Sequence, residues 1–199
     1  MNNIKEHQDV ILNENEYGDI NIKGNMTVSN DIYSENIKLK GNLDSSYSIK
    51  CKETINIKGS VVCHTIEAKE FSLHGKIQAN LIKSNELKIV SNNECRINKI
   101  EADKIVISNV SNAEMNKRIM DKLLEKIGLD DVEYSQSDNL PSVTILEING
   151  KDVFLENINA DIVRCVNANL EGKCSIKELI YSGDASISKN STVTNRRRD

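Results

Sequence analysis

One short stretch of the 199-residue chain decides its fold: residues 55–61, which read Ile-Asn-Ile-Lys-Gly-Ser-Val. Apolar and polar residues alternate on both sides of a glycine, as in a half-buried strand that ends at a sharp corner. Related stretches recur every 16 to 18 residues, so the sequence predicts a repeat architecture. They begin at Ile20, Ile37, Ile55, Phe71, Leu87 and Ile105 and, after an interruption, at Leu146, Val163 and Leu179.

Each repeat contains two further alternating segments. One carries an apolar residue two positions after the glycine, as at Met26, Leu43, Val61 and Ile77. The other is an apolar-x-small motif, as in Ile32-x-Ser34, Ile49-x-Cys51, Ile66-x-Ala68, Ile82-x-Ser84, Ile100-x-Ala102 and Ile158-x-Ala160. Equal repeats that all run in one direction are incompatible with hairpins. We therefore predict an all-β parallel β-helix with three short strands per 16–18-residue coil, each strand pairing with its counterpart one coil away.

The repeat divides the chain into five segments. Residues 19–110 and 143–194 form the coils, residues 1–18 are an N-terminal segment and candidate cap, and residues 195–199 are a basic, frayed tail. Residues 111–142 interrupt the repeat as an inserted helix and loop. The helix is predicted over Ser111–Ile127 and lies against a flank of the coils through an apolar stripe with a spacing of four: Met115, Ile119, Leu123 and Ile127.

Composition excludes several function classes. The chain has 26 Lys and Arg against 30 Asp and Glu, and this net charge of −4 argues against nucleic-acid binding. No run approaches the roughly 20 apolar residues of a membrane span, and residues 1–10 lack the apolar core of a signal peptide. We expect a cytoplasmic protein that is peripheral, at most, to the inner face of the membrane.

Metal, disulfide and nucleotide chemistry are poorly supported. The five cysteines form no CxxC pair and are predicted to be reduced, buried thiols. Asp130, Asp131 and Glu133 fit a solvated loop better than a metal site. No GxxxxGK[ST] loop is present, so we expect neither cofactor nor nucleotide.

The coil motif resembles the bactofilins, which are bacterial polymer-forming cytoskeletal proteins. The likeness is carried by residues 55–61 and by Ile66-Glu-Ala-Lys-Glu-Phe71, and it covers residues 19–110 and 143–194. The resemblance implies a right-handed β-helix that assembles end to end into non-polar filaments without nucleotide. It also implies a scaffold for cell-envelope proteins rather than an enzyme.

A physical argument also favours self-association. The terminal coils of a β-helix expose strand edges with unpaired N–H and C=O groups, which invite another molecule to stack. The chain itself is therefore the first expected partner. The predicted contacts are Leu12, Ile20 and Ile22 at one end and Leu179, Tyr181, Ala185 and Ile187 at the other.

Two alternatives remain open. The same coils suit a non-filamentous adaptor that binds a protein partner. An enzyme, the left-handed β-helix acyltransferase, is suggested by apolar residues at six-residue intervals from Ile37 to Val61. His64 or His74 would then act as general base.

Overall fold

Parallel pairing between successive coils organises the chain. The computed structural model describes residues 1–110 and 142–199, whose strands all join one sheet of 16 strands. Every strand pairing in it is parallel, and the partners lie 15 to 18 residues apart except across residues 111–141. The strands stack into about ten coils, which confirms the predicted all-β solenoid. The predicted helix Ser111–Ile127 lies outside the described residues.

The strands of the first half are β1 (Asn2–Glu6), β2 (Val10–Leu12), β3 (Tyr17–Lys23), β4 (Met26–Val28), β5 (Ile32–Ser34), β6 (Asn36–Lys40), β7 (Leu43–Ser45), β8 (Ser48–Cys51), β9 (Thr54–Ser91) and β10 (Cys95–Asn109). Those of the second half are β11 (Val143–Glu156), β12 (Asn159–Cys165), β13 (Asn167–Glu171), β14 (Ser175–Tyr181), β15 (Ala185–Ile187) and β16 (Thr192–Arg198).

Three faces, which we call A, B and C, surround one core. Face A contains β1, β3, β6, β13 and β15, face B contains β2, β4 and β7, and face C contains β5 and β8. The other strands turn corners and contribute to more than one face. Inward residues form continuous columns of Ile, Leu and Val that are almost fully buried. Paired examples are Ile20–Ile37–Ile55 on face A, Met26–Leu43–Val61 on face B and Ile32–Ile49–Ile66 on face C.

Glycines form a column at the corner between faces A and B. Gly24, Gly41, Gly59 and Gly75 all have φ between 143° and 156°, a conformation that other residues rarely adopt. A Cβ on Gly41 would also collide with the carbonyl oxygen of Gly24, and the clash repeats from each glycine to the next. The corner is therefore closed by direct contact between main chains, which only glycine permits.

Val110 and Ser142, the described residues on either side of the interruption, both lie at this same A–B corner. The N–H of Val110 donates to Ser91 O (2.9 Å), and the N–H of Cys95 donates to Ser142 O (3.0 Å). Strand β11 then continues directly on β10, with Ile97 against Ile145 and Ile105 against Val153. The coil stack is thus uninterrupted in space although the chain is interrupted in sequence.

The predicted register of the second half is wrong by one face. The repeat pattern aligns Leu146-x-Ile148-x-Gly150 with Ile55-x-Ile57-x-Gly59, which lies on face A with its glycine at the A–B corner. Ile148 and Gly150 instead pair with Ile100 and Ala102 on face C. Face A is continued by Val153 and Ala168. The three columns have similar apolar alternation, and the interruption removes the phase that distinguishes them.

The glycine column yields a stability prediction. Gly41→Ala is expected to lower the free energy of unfolding by about 2–4 kcal/mol, because Ala at this φ is strained and its Cβ meets the main chain of Gly24. Chemical denaturation followed by circular dichroism measures the change.

Gly18→Ala is the matched control. Gly18 has no positive φ, and its added Cβ would clash only with the side chain of Asn3 on β1, since the carbonyl oxygen of Met1 lies at an ordinary contact distance of 3.6 Å. A loss below about 1 kcal/mol is expected there. Equal losses for the two variants would contradict the role assigned to the corner.

Candidate functional site

The first coil forms one end of the solenoid. Strand β1 pairs with β3, which places Ile4 on Ile20 and Glu6 on Ile22. Strand β2 pairs with β4, which places Leu12 on Val28. Among the described residues, no strand pairs with the outer edge of β1 or β2. Residues 1–18 therefore complete a coil, and that coil itself has an open edge.

The last coil forms the other end and differs from the predicted frayed tail. Strand β16 pairs with β14 along its length, so Arg196 lies on Leu179 and Arg198 on Tyr181. The guanidinium of Arg196 lies 4.8 Å from the centre of the Tyr181 ring, and its Nε donates to the Tyr181 hydroxyl (2.9 Å). A cation over an aromatic face is stabilising, and the arginine stem covers apolar surface. These contacts hold the basic segment in place.

Four of the seven predicted end contacts lie one coil inside the ends. Ile20 and Ile22 are covered by β1, and Leu179 and Tyr181 are covered by β16; all four are buried. The other three do lie on terminal strands: Leu12 on β2 and Ala185 and Ile187 on β15. Sequence reasoning missed the true end coils because charged residues occupy some of their inward positions.

The sides of the solenoid carry ion pairs that join neighbouring coils. On face C, Lys52 pairs with Glu35 (3.2 Å) and Lys83 with Glu101 (3.0 Å). Glu101 also accepts from Lys99 (2.9 Å), and hydrogen bonds from both lysines hold its pKa below the usual value for glutamate. On face A, Lys23, Lys40 and Lys58 form an outward column of exposed side chains.

A shallow groove of about 700 Å³ runs across several coils beside face C. Charged side chains of both signs line it, including Lys50, Lys69 and Glu67, and small residues such as Ala68 form its floor. Tyr33 lies at its edge with 36% of its surface exposed. The groove offers a mixed-charge surface with one aromatic contact.

The histidines proposed as general bases are both on the surface. His64 and His74 have exposed side chains, and His64 Nδ1 lies 3.0 Å from Thr65 Oγ1. In residues 1–110 and 142–199, no cluster of three or more His, Cys, Asp or Glu side chains is arranged to hold a metal ion. The acyltransferase hypothesis stays a prediction.

Two parts of the sequence interpretation concern residues 111–141. The predicted helix face, Met115, Ile119, Leu123 and Ile127, lies outside the described residues, as do Asp130, Asp131 and Glu133.

In the part of the chain that the structure describes, no helix is long and apolar enough to cross a membrane. Comparison with protein-family models, curated proteins and solved structures finds no match.

The five cysteines are free thiols, as predicted, and four of them are buried. Burial raises the pKa of Cys63 to about 12. Burial also raises the pKa of Cys165 to about 11, with a smaller contribution from the nearby Asp152 carboxylate. Because the thiolate is the reactive form, a raised pKa slows reaction with thiol reagents at neutral pH.

The burial of these thiols predicts how slowly the folded protein reacts with a thiol reagent. At pH 8 we expect little reaction of the folded chain with an aromatic disulfide reagent and complete reaction of all five thiols in denaturing guanidinium. Slow residual labelling should fall on the half-buried Cys165 and disappear in Cys165→Ser. Rapid labelling of several thiols in the folded state would show that the coils open easily.

Proposed function

We propose that the chain is a structural protein that assembles end to end into filaments without nucleotide and without catalytic activity. The observation that supports this is a pair of sheet edges, on β1 and β2 at one end and on β15 and β16 at the other, with which no strand of residues 1–110 and 142–199 pairs. Each edge lies directly over a continuous core. A second chain stacked there would extend the parallel pairing that already joins neighbouring coils.

The sides are less suited to self-association than the ends. Their lysines and glutamates already pair across coils, as Lys50 does with Glu67 and Lys177 with Asp161. If the side of a second chain docked here, it would remove water from these charges without supplying new partners for them. At the ends, by contrast, Ile4, Ala185 and Ile187 are only partly buried and can gain further apolar contact.

The finer parts of the proposal rest on the likeness to bactofilins. We propose a right-handed coil, an inserted helix on its flank, and a cytoplasmic location that extends at most to the inner face of the membrane. The filament would scaffold proteins that shape the cell or its envelope. The polar, charged sides fit this role because they remain available to other proteins along the filament.

A non-filamentous adaptor is the second candidate function. The groove beside face C favours it, because exposed Tyr33 and alternating charges offer a surface for a protein partner. This function needs no contact between coil ends. The oligomeric state therefore separates the two candidates.

The filament proposal predicts the effect of a charge at the end of the core. The unmodified chain should form filaments without nucleotide, measured by sedimentation and negative-stain electron microscopy. Ala185→Lys should abolish them, because Ala185 is half-buried on terminal strand β15 and a lysine there would be enclosed between two cores.

Ser186→Lys is the matched control on the same strand. Ser186 is exposed and points outward, so its lysine should leave assembly and the melting temperature unchanged. A monomer at high concentration in the unmodified chain would overturn the filament proposal and leave the adaptor. Filaments that persist in Ala185→Lys, with its folding intact, would show that the contact between chains does not involve this end.

A further inference from the structure

The two ends of the solenoid carry opposite charge. Residues 1–16, which form the first coil, contain four acidic side chains against one lysine. Residues 184–199, which form the last coil, contain four basic side chains against two acidic ones. The charged residues of the first coil are Lys5, Glu6, Asp9, Glu14 and Glu16; those of the last are Asp184, Lys189, Arg196, Arg197, Arg198 and Asp199.

Several of these charges are exposed and available to a partner. Glu14, Glu16 and Arg198 have exposed side chains and form no ion pair within the described part of the chain. Arg197 pairs through Nε with Asp199 (2.8 Å) but keeps more than half of its side chain exposed. By contrast, Arg196 is committed to the Tyr181 ring and hydroxyl.

Inward positions at both ends also carry charge. Glu6 continues the column of Ile22, and Arg198 continues the column of Tyr181. Charged residues that point inward on an edge strand oppose indiscriminate pairing of that edge. Two identical ends would bring glutamates against glutamates, or arginines against arginines, and such like-charge contacts are costly.

Opposite ends match when the columns are continued from one chain into the next. Strand β15 would receive β1, which places Ala185 on Ile4. Strand β16 would receive residues 10–17, which places Val193 on Leu12 and Arg197 on Glu16. At these positions apolar side chains meet apolar ones on faces A and B, and opposite charges meet on face C. On face A the same register also places Glu6 over Ile187.

We propose that the basic last coil of one chain binds the acidic first coil of a second copy, so that the filament is polar. This inference rests on the proposed function and specifies which ends meet in it. It differs from the non-polar filaments that the likeness to bactofilins implies. The charges select the partner end, while the sheet edges and the apolar columns supply the contact surface.

Charge reversal at each end tests the inference. One variant carries Glu14→Lys and Glu16→Lys, and the other carries Arg197→Glu and Arg198→Glu. Each alone presents like charges at every opposite-end contact, so its sedimenting fraction should fall about tenfold at low salt. An equimolar mixture should recover filaments, since the basic end of the first variant meets an unaltered acidic end, and the two reversed ends are again complementary.

The lateral control is the exchange Lys50→Glu with Glu67→Lys, which swaps an ion pair on the side of the solenoid. It should assemble like the unmodified chain. Recovery on mixing also excludes misfolding, because unfolded variants would not rescue each other.

If the unmodified chain assembles but the end variants assemble equally well alone, or fail to recover when mixed, the polar arrangement is wrong and the filament proposal stands. If the unmodified chain does not assemble, both proposals fall.

Discussion

The parallel hydrogen-bond register between coils is the constraint on which the rest of the structure depends. Once Ile37 is held against Ile20 and Ile55, the neighbouring positions of all three coils are aligned as well. Because every coil has the same alignment, equivalent residues of successive coils stack into columns. These columns are apolar inside, charged outside and formed by glycine at one corner. The glycine corner sets how closely the coils approach there, because its main-chain atoms are in direct contact.

The fold of the first half was predictable because its columns differ from one another. Glycine marks the A–B corner, while the small residues Ser34, Cys51 and Ala68 mark face C, and the structure places each set in its own column. In the second half these markers change. Asn157 takes the corner with a positive φ (57°), and Gly150 occupies the small column of face C. A pattern that follows glycine alone is therefore misled after the interruption.

The ends were less predictable for a different reason. A residue in a middle coil is covered from both sides, so its inward position must be apolar. A terminal coil is covered from one side only, and Glu6 and Arg196 can occupy inward positions there while they remain in contact with water or with Tyr181. At each end, the regular apolar pattern of the sequence therefore stops one coil before the sheet does. Of the residues predicted to form end contacts, Leu12, Ala185 and Ile187 lie on terminal strands, while the other four lie one coil inside the ends.

The return of the chain to the same corner has a further consequence for how the molecule holds together. Residues 1–110 and 142–199 meet along β10 and β11, which are aligned from Cys95–Val143 to Ser108–Glu156. This seam has the same pairing as any other two neighbouring coils, so it does not depend on a covalent connection. The two portions carry complementary edges, as the halves of a fragment-complementation pair do. The covalent chain keeps the two portions close to each other, and the pairing of β10 with β11 determines how they align.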